Sequence, residues 1–163
     1  FIKRYNFNAF IVERFIPWGR GKKIGKSLVS IMDWLYILHL LCERCGLDDD
    51  ISSLLPYRGI MVRQDIKGSY ELFGAPCIIG SDGIAVMPDG TVFPCRRFPL
   101  KIGNLLEDPL KDIWENSDIL NRLRSSTLKG KCKDCRIKHC RGCRALTYSI
   151  TGDYLEEDPL CPL

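Results

Sequence analysis

The chain has 163 residues, a formal net charge of +4 at pH 7, 45% hydrophobic residues and 27% charged residues. This balance is typical of a globular protein with room for one ordinary domain or two small ones. It contains no apolar run of about 18 residues, which excludes a membrane span. An odd number of cysteines with C-x2-C pairs, and no signal-peptide pattern, favours the reducing cytoplasm.

The N-terminal half predicts one α/β unit. Residues 8–16 are rich in β-branched and aromatic side chains, which favours a strand. Ser27 is predicted to cap a helix that runs to Cys45, and Gly46 supplies its C-terminal stop. Residues 47–76 hold an aspartate run with scattered prolines and glycines, so we expect an irregular connection there and place a domain boundary in it.

The second half is predicted to begin at Cys77 and to contain only short elements. These are a β-hairpin of strands 84–87 and 91–93, and helices that begin near residues 108, 117 and 144. Residues 129–163 are otherwise loop-rich. Such a segment buries few apolar side chains, so we expect it to need a covalent or metal staple.

Seven of the nine cysteines form one uneven series: Cys77, Cys95, Cys132, Cys135, Cys140, Cys143 and Cys161. Neighbouring C-x2-C thiols make strained, reducible disulfides, so a metal or an iron–sulfur cluster is favoured. Cys132, Cys135, Cys140 and Cys161 suit either a cubane cluster or a tetrahedral zinc ion. The other three make a second set. A single four-cysteine zinc site would not account for the three additional cysteines, so the sets of four and three favour iron–sulfur chemistry.

Seven cations crowd the same segment, namely Lys129, Lys131, Lys133, Arg136, Lys138, Arg141 and Arg144. A basic patch is typical of nucleic-acid binding, but it also offsets the negative charge of thiolates on a cluster. No aromatic side chains interleave these cations as a base-stacking platform requires. We therefore favour charge compensation and do not expect nucleic acid as a partner.

Some other residues are candidates for chemistry. Cys42 and Cys45 share one helix face and are interpreted as buried helix cysteines rather than as ligands or a redox pair. His139 is interpreted as an exposed loop residue, the alternative being a ligand at an open cluster site. The arginines at 96–97 are expected to donate hydrogen bonds to cluster sulfides. Arg14 either contacts substrate or cofactor or ends a strand in solvent.

Taken together, these motifs resemble the SPASM domain, the C-terminal iron–sulfur extension of many radical S-adenosylmethionine (SAM) enzymes. The matching stretches are 87–96 (MPDGTVFPCR), 102–105 (IGNL) and 152–161 (GDYLEEDPLC), while 13–22 (ERFIPWGRGK) resembles the end of the catalytic barrel. The resemblance implies an α+β fold. Residues 1–46 would be the terminal α/β unit of a TIM-like barrel, 47–76 a connection and 77–163 the SPASM domain. The chain then lacks the N-terminal part of the enzyme.

The resemblance also implies cofactors for the cysteines. It assigns Cys132, Cys135, Cys140 and Cys161 to an outer [4Fe-4S] cluster, and Cys77, Cys95 and Cys143 to an inner one. The family's usual spacing is C-x2-C-x5-C-x3-C, whereas this chain has C-x2-C-x4-C-x2-C. Variants with a short last gap, as in tetrapyrrole-tailoring members, are expected to keep only the outer cluster. One or two clusters are therefore expected.

A function follows from the resemblance. The clusters would serve electron transfer and substrate engagement in peptide or protein modification or in tetrapyrrole tailoring, with an electron donor such as flavodoxin or ferredoxin. SAM and a third cluster would bind a C-x3-C-x2-C motif that this chain lacks, so we expect the chain alone to be inactive. The alternative is a zinc-stapled interaction or nucleic-acid-binding module without enzymatic activity.

Overall fold

The computed structural model describes residues 2–5, 7–47, 50–125 and 127–163. Within these ranges, two three-stranded antiparallel sheets are accompanied by five α-helices. The first sheet has the order β1-β2-β3, with β1 at Ala9–Glu13, β2 at Tyr57–Gln64 and β3 at Tyr70–Pro76. The second has the order β4-β5-β6, with β4 at Ala85–Val86, β5 at Thr91–Phe93 and β6 at Gly103–Asn104. The helices are α1 at Ile2–Tyr5, α2 at Ile31–Cys45, α3 at Leu110–Asn116, α4 at Asp118–Arg124 and α5 at Arg144–Thr151.

Helix α2 begins at Ile31, so the prediction of Ser27 as its cap is wrong. Ser30 is the cap instead: its hydroxyl accepts from the Asp33 amide at 3.1 Å, and its own amide donates to the Asp33 carboxylate at 3.2 Å. This reciprocal capping box satisfies two amides that the first turn leaves unpaired. Gly46 ends the helix in a left-handed conformation, as predicted.

The irregular connection predicted for residues 47–76 is wrong over β2 and β3, which pair with each other in an antiparallel hairpin. Residues 65–68, whose composition is typical of a loop between domains, form the hairpin turn between β2 and β3. The Asp65 carboxylate accepts from the amides of Lys67 and Ser69 at 2.9 and 2.8 Å. Gly74 is also inside the sheet, where it pairs with Ile60, and a Cβ there would overlap the ring of Tyr57.

The α+β class is confirmed. The strand and helix expected near the N-terminus are both present, but β1 pairs antiparallel with β2. The barrel unit predicted for residues 1–46 therefore stays a prediction, as does the domain boundary. In the part of the chain that the structure describes, no helix is long and apolar enough to cross a membrane.

Two hydrophobic cores hold these elements. One lies between α2 and the first sheet, with Leu38, Leu54 and Ile60 almost fully buried. The other gathers side chains of α3–α5 around Phe98, which lies between the second and third strands of the second sheet. Strand β1 stops at Glu13, earlier than predicted, and Ile16 just beyond it packs into the second core. The segment after β1 therefore ties the two halves of the chain together.

Candidate metal centre

The thiols of Cys132, Cys135, Cys140 and Cys161 line one cavity of about 290 Å³. The opposite wall is mostly apolar and comes from the N-terminal half, including Trp34, Leu38, Leu54 and Leu55. The four cysteines that sequence spacing groups together thus line one partly open cavity. Its volume is several times the roughly 30 Å³ that one water molecule occupies in the liquid.

Tight turns place three of these thiols. Cys132 ends a short 3-10 helix, Gly130–Cys132, whose Lys131 amide donates to the Glu157 carboxylate at 2.9 Å. The Cys140 amide donates to the Ile137 carbonyl at 3.2 Å, and its thiol donates to the Leu55 carbonyl at 3.6 Å. The Cys161 amide donates to the backbone carbonyl of residue 158 at 3.0 Å. Backbone turns rather than helices or strands therefore aim the thiols.

Asp158 connects these turns. Its side chain is buried, and its Oδ2 accepts from the amide of Cys143 and from Nη1 of Arg14, each at 2.6 Å. Its Oδ1 accepts from the Leu160 amide at 3.0 Å. Its own amide donates to Sγ of Cys132 at 3.4 Å. One carboxylate and its backbone thus fix the tail against both cysteine sets.

Arg14 is 8% exposed and lines the same cavity, so it does not end a strand in solvent. Its guanidinium lies over the Trp34 ring, 5.8 Å from the centroid. Burial opposes its charge, but the pKa of Arg14 is nevertheless raised because Asp158 and the thiols of Cys143 and Cys140 face it. Sequence reasoning missed the pairing with Asp158, which joins residues 144 positions apart and leaves no local signal.

Without metal, the thiols of Cys140 and Cys161 favour their protonated state. Burial raises the pKa of Cys140, and also that of Cys161, above the ordinary thiol value of 9.0. A metal centre here would form with release of protons, since thiolates are the ligands. Among the described residues, no three His, Cys, Asp or Glu side chains converge closely enough for one metal ion. Four thiols around a larger cavity fit a multi-iron cluster better than a single ion, because a cluster spreads its ligands.

The three remaining cysteines of the series are arranged differently. Cys77 and Cys95 line a second cavity of about 350 Å³ together with Arg58 and Arg96. Burial raises the pKa of Cys77, and the neighbouring thiols of Cys143 and Cys95 raise it further. The three are therefore close in space. Cys143 is buried in the second core, against which Cys77 and Cys95 also pack, but it does not line that cavity.

The remaining candidates do not line the four-thiol cavity, and two of them, exposed His139 and buried Cys42, are as predicted. Arg96 donates to Glu13 at 3.2 Å, and Arg97 donates to the Arg14 carbonyl at 3.2 Å, so both contact the end of β1 rather than a thiol. His139 is exposed, with φ of 61°, and lines a further cavity beside Cys77. Cys42 is fully buried in the first core.

The basic residues divide into two groups. Lys129 pairs with Asp153 at 2.6 Å and Glu156 at 3.0 Å. Buried Arg144 donates to the carbonyls of Tyr154 and Glu156, and its Nη2 lies 4.0 Å from Sγ of Cys132. A second group, Lys133, Arg136 and Lys138, is exposed. Lys129 and Arg144 thus stabilise the tail through their contacts with residues 153–156, a structural role that the number of positive charges alone does not indicate.

The family model for the SPASM iron–sulfur cluster-binding domain matches residues 77–144. Residues 77–144 are a SPASM domain. This confirms the resemblance on which the sequence prediction depends. The match covers six of the seven cysteines in the series, and Cys161 lies beyond it.

The similarity to curated proteins extends beyond both ends of the SPASM domain. The chain is 36% identical over 168 residues to the AdoMet-dependent heme synthase of Methanosarcina barkeri, covering 94% of this chain and 47% of that protein. It is also 36% identical over 171 residues to the synthase of the same name from Nitratidesulfovibrio vulgaris, covering 94% of this chain and 46% of that one. The chain thus spans about half the length of these curated relatives. No solved structure matches it.

Gly142→Ala should destabilise the SPASM tail more than Gly152→Ala does. Both glycines have positive φ, 59° and 80°, so both variants incur a left-handed strain of about 1–2 kcal/mol. A Cβ at position 142 would also lie 2.6 Å from the Asp158 carboxylate and 2.6 Å from the Arg144 guanidinium, whereas nothing lies within 4 Å at position 152. Urea unfolding of the metal-free protein measures both losses. Equal losses of unfolding free energy in the two variants would show that Asp158 and Arg144 are not packed closely against position 142.

Proposed function

We propose that this chain is the auxiliary-cluster part of a radical SAM enzyme. Cys132, Cys135, Cys140 and Cys161 would hold a [4Fe-4S] cluster in the cavity that they line. The observation that carries this proposal is that four cysteines from separate turns line one partly open cavity, three of them inside the SPASM match and Cys161 beyond it. Thiolates are the ligands that such clusters require.

When bound, such a cluster takes up or releases single electrons. The chain's own residues determine the surroundings in which this occurs. Trp34, Leu38 and Leu54 line the cavity with buried apolar side chains, which makes its surroundings less polar. Exposed Cys135 lies on the solvent side, and we infer that electrons enter or leave there, exchanged with a small donor such as flavodoxin or ferredoxin in the cytoplasm.

Tetrapyrrole tailoring is favoured over peptide modification as the reaction of the whole enzyme. The relatives in two organisms are named AdoMet-dependent heme synthases, and they match over 94% of this chain. The shortened C-x2-C-x4-C-x2-C spacing agrees with that choice. SAM cleavage needs residues that are not in this chain, and β1 with α2 would be the end of the barrel that carries them. The chain alone would then bind a cluster without catalysing the reaction.

Cys140→Ala should abolish cluster binding in the four-thiol cavity. After anaerobic reconstitution with iron and sulfide, the unaltered protein should be brown, with broad absorption near roughly 400 nm and a low-potential EPR signal. Cys45→Ala is the matched control, since Cys45 is a partly buried cysteine on α2 outside the cavity. The control should keep its iron. Stoichiometric zinc without iron in the unaltered protein would contradict the proposal.

Cys77→Ala should leave that cluster in place. All three thiols contact the second core, but Cys143 does not line the cavity that Cys77 and Cys95 line, and we propose that the three do not hold a second cluster. Iron analysis should therefore give about four irons per chain in both the unaltered protein and the variant. About eight irons in the unaltered protein, falling to about four in the variant, would instead establish an inner cluster at Cys77, Cys95 and Cys143.

A further inference from the structure

We propose that Arg14 and Asp158 form a charge pair that sets the reduction potential of the cluster in the four-thiol cavity. The inference rests on the proposed cluster. Arg14 lies outside the SPASM domain, in the segment that follows β1, and Asp158 lies beyond the other end of the match. The two residues act through the cluster's surroundings and are positioning residues.

The pair is placed to act on the cavity. Both residues line it together with the four cysteines, and their side chains are 7% and 3% exposed. Nη1 of Arg14 donates to Oδ2 of Asp158 at 2.6 Å. Arg14 is further held by the Trp34 ring and, at its carbonyl, by Arg97. Water therefore screens these two charges little, and their effect on nearby thiolates is large compared with that of surface charges.

Asp158 also contacts the thiolate ligands through its backbone. Its amide donates to Sγ of Cys132, and its carbonyl accepts from the amide of Cys161. Its carboxylate lies next to the amide of Cys143. A change in the charge of the pair therefore acts on residues that directly contact the proposed cluster ligands.

The two charges should shift the potential in opposite directions. One-electron reduction adds a negative charge to a centre that four thiolates already make negative. The Arg14 cation stabilises this added charge and raises the potential, whereas the Asp158 anion destabilises it and lowers the potential. A purely structural role predicts no such opposition, since removal of either partner would disturb the same packing.

The experiment compares Arg14→Gln with Asp158→Asn in the protein reconstituted anaerobically with iron and sulfide. An EPR-monitored redox titration follows the signal that is absent in Cys140→Ala. Arg14→Gln should lower the equilibrium constant of one-electron reduction at least tenfold, about 59 mV, and Asp158→Asn should raise it by a similar factor. The matched controls are Arg63→Gln and Glu71→Gln, an exposed ion pair of 2.6 Å on the first sheet that does not line the cavity. Screening by water should keep their shifts below about twofold.

Two further variants distinguish an effect of charge from an effect of misfolding. Arg14→Gln leaves Asp158 buried without its cation, which can itself unfold the tail. The double variant R14Q/D158N removes both charges together, and Arg14→Lys keeps the cation. The expected order of potentials is D158N highest, then the unaltered protein, then R14Q, with the double variant between the two single variants and Arg14→Lys nearest the unaltered protein.

The outcomes are distinct. Shifts of D158N and R14Q in the same direction, or no shift at unaltered iron content, would overturn the charge-pair role while leaving the cluster in place. An unaltered protein that binds no iron would overturn the proposed function, and this inference with it.

Discussion

The buried carboxylate of Asp158 is the contact on which the arrangement of the tail depends. A carboxylate without water needs a cation or several donors, because removing one partner of a buried ion pair costs about 3–5 kcal/mol. Asp158 has Arg14, the Cys143 amide and the Leu160 amide. To satisfy it, the segment after β1, the start of α5 and the last turn of the chain must meet at one point. That meeting point is the wall of the four-thiol cavity.

This contact connects fold and chemistry. Residues 129–163 consist of α5, one short 3-10 helix and turns. The buried Ala145 and Leu146 lie on α5, so few fully buried apolar side chains stabilise the turns. Burial raises the pKa of the Cys140 and Cys161 thiols, so without metal these two groups add no negative charge beside the pair. Cluster formation would replace those protons with iron. In this account the metal supplies folding free energy to the same turns that Asp158 orders.

The sequence predicts the site better than the surrounding fold, for physical reasons. Cysteine spacing is a local signal, and it is enough to group Cys132, Cys135 and Cys140. The capping box at Ser30 and Asp33 is also a local signal, although the prediction placed the cap at Ser27. The β2–β3 hairpin is not predicted because glycines usually indicate loops. Here Gly59 and Gly74 lie within the strands, and Gly68 lies in the turn between them. The Arg14–Asp158 pair has no local signal, since only the folded chain brings its partners together.

The most direct test of the central claim, that a cluster and Asp158 together order the tail, is hydrogen exchange measured with and without the reconstituted cluster. The account predicts that the amides of Lys131, Cys143 and Cys161 are more strongly protected when iron is bound than without it, with the β2–β3 hairpin exchanging equally in both states. Equal protection of residues 129–163 in the iron-free and iron-bound protein would contradict it.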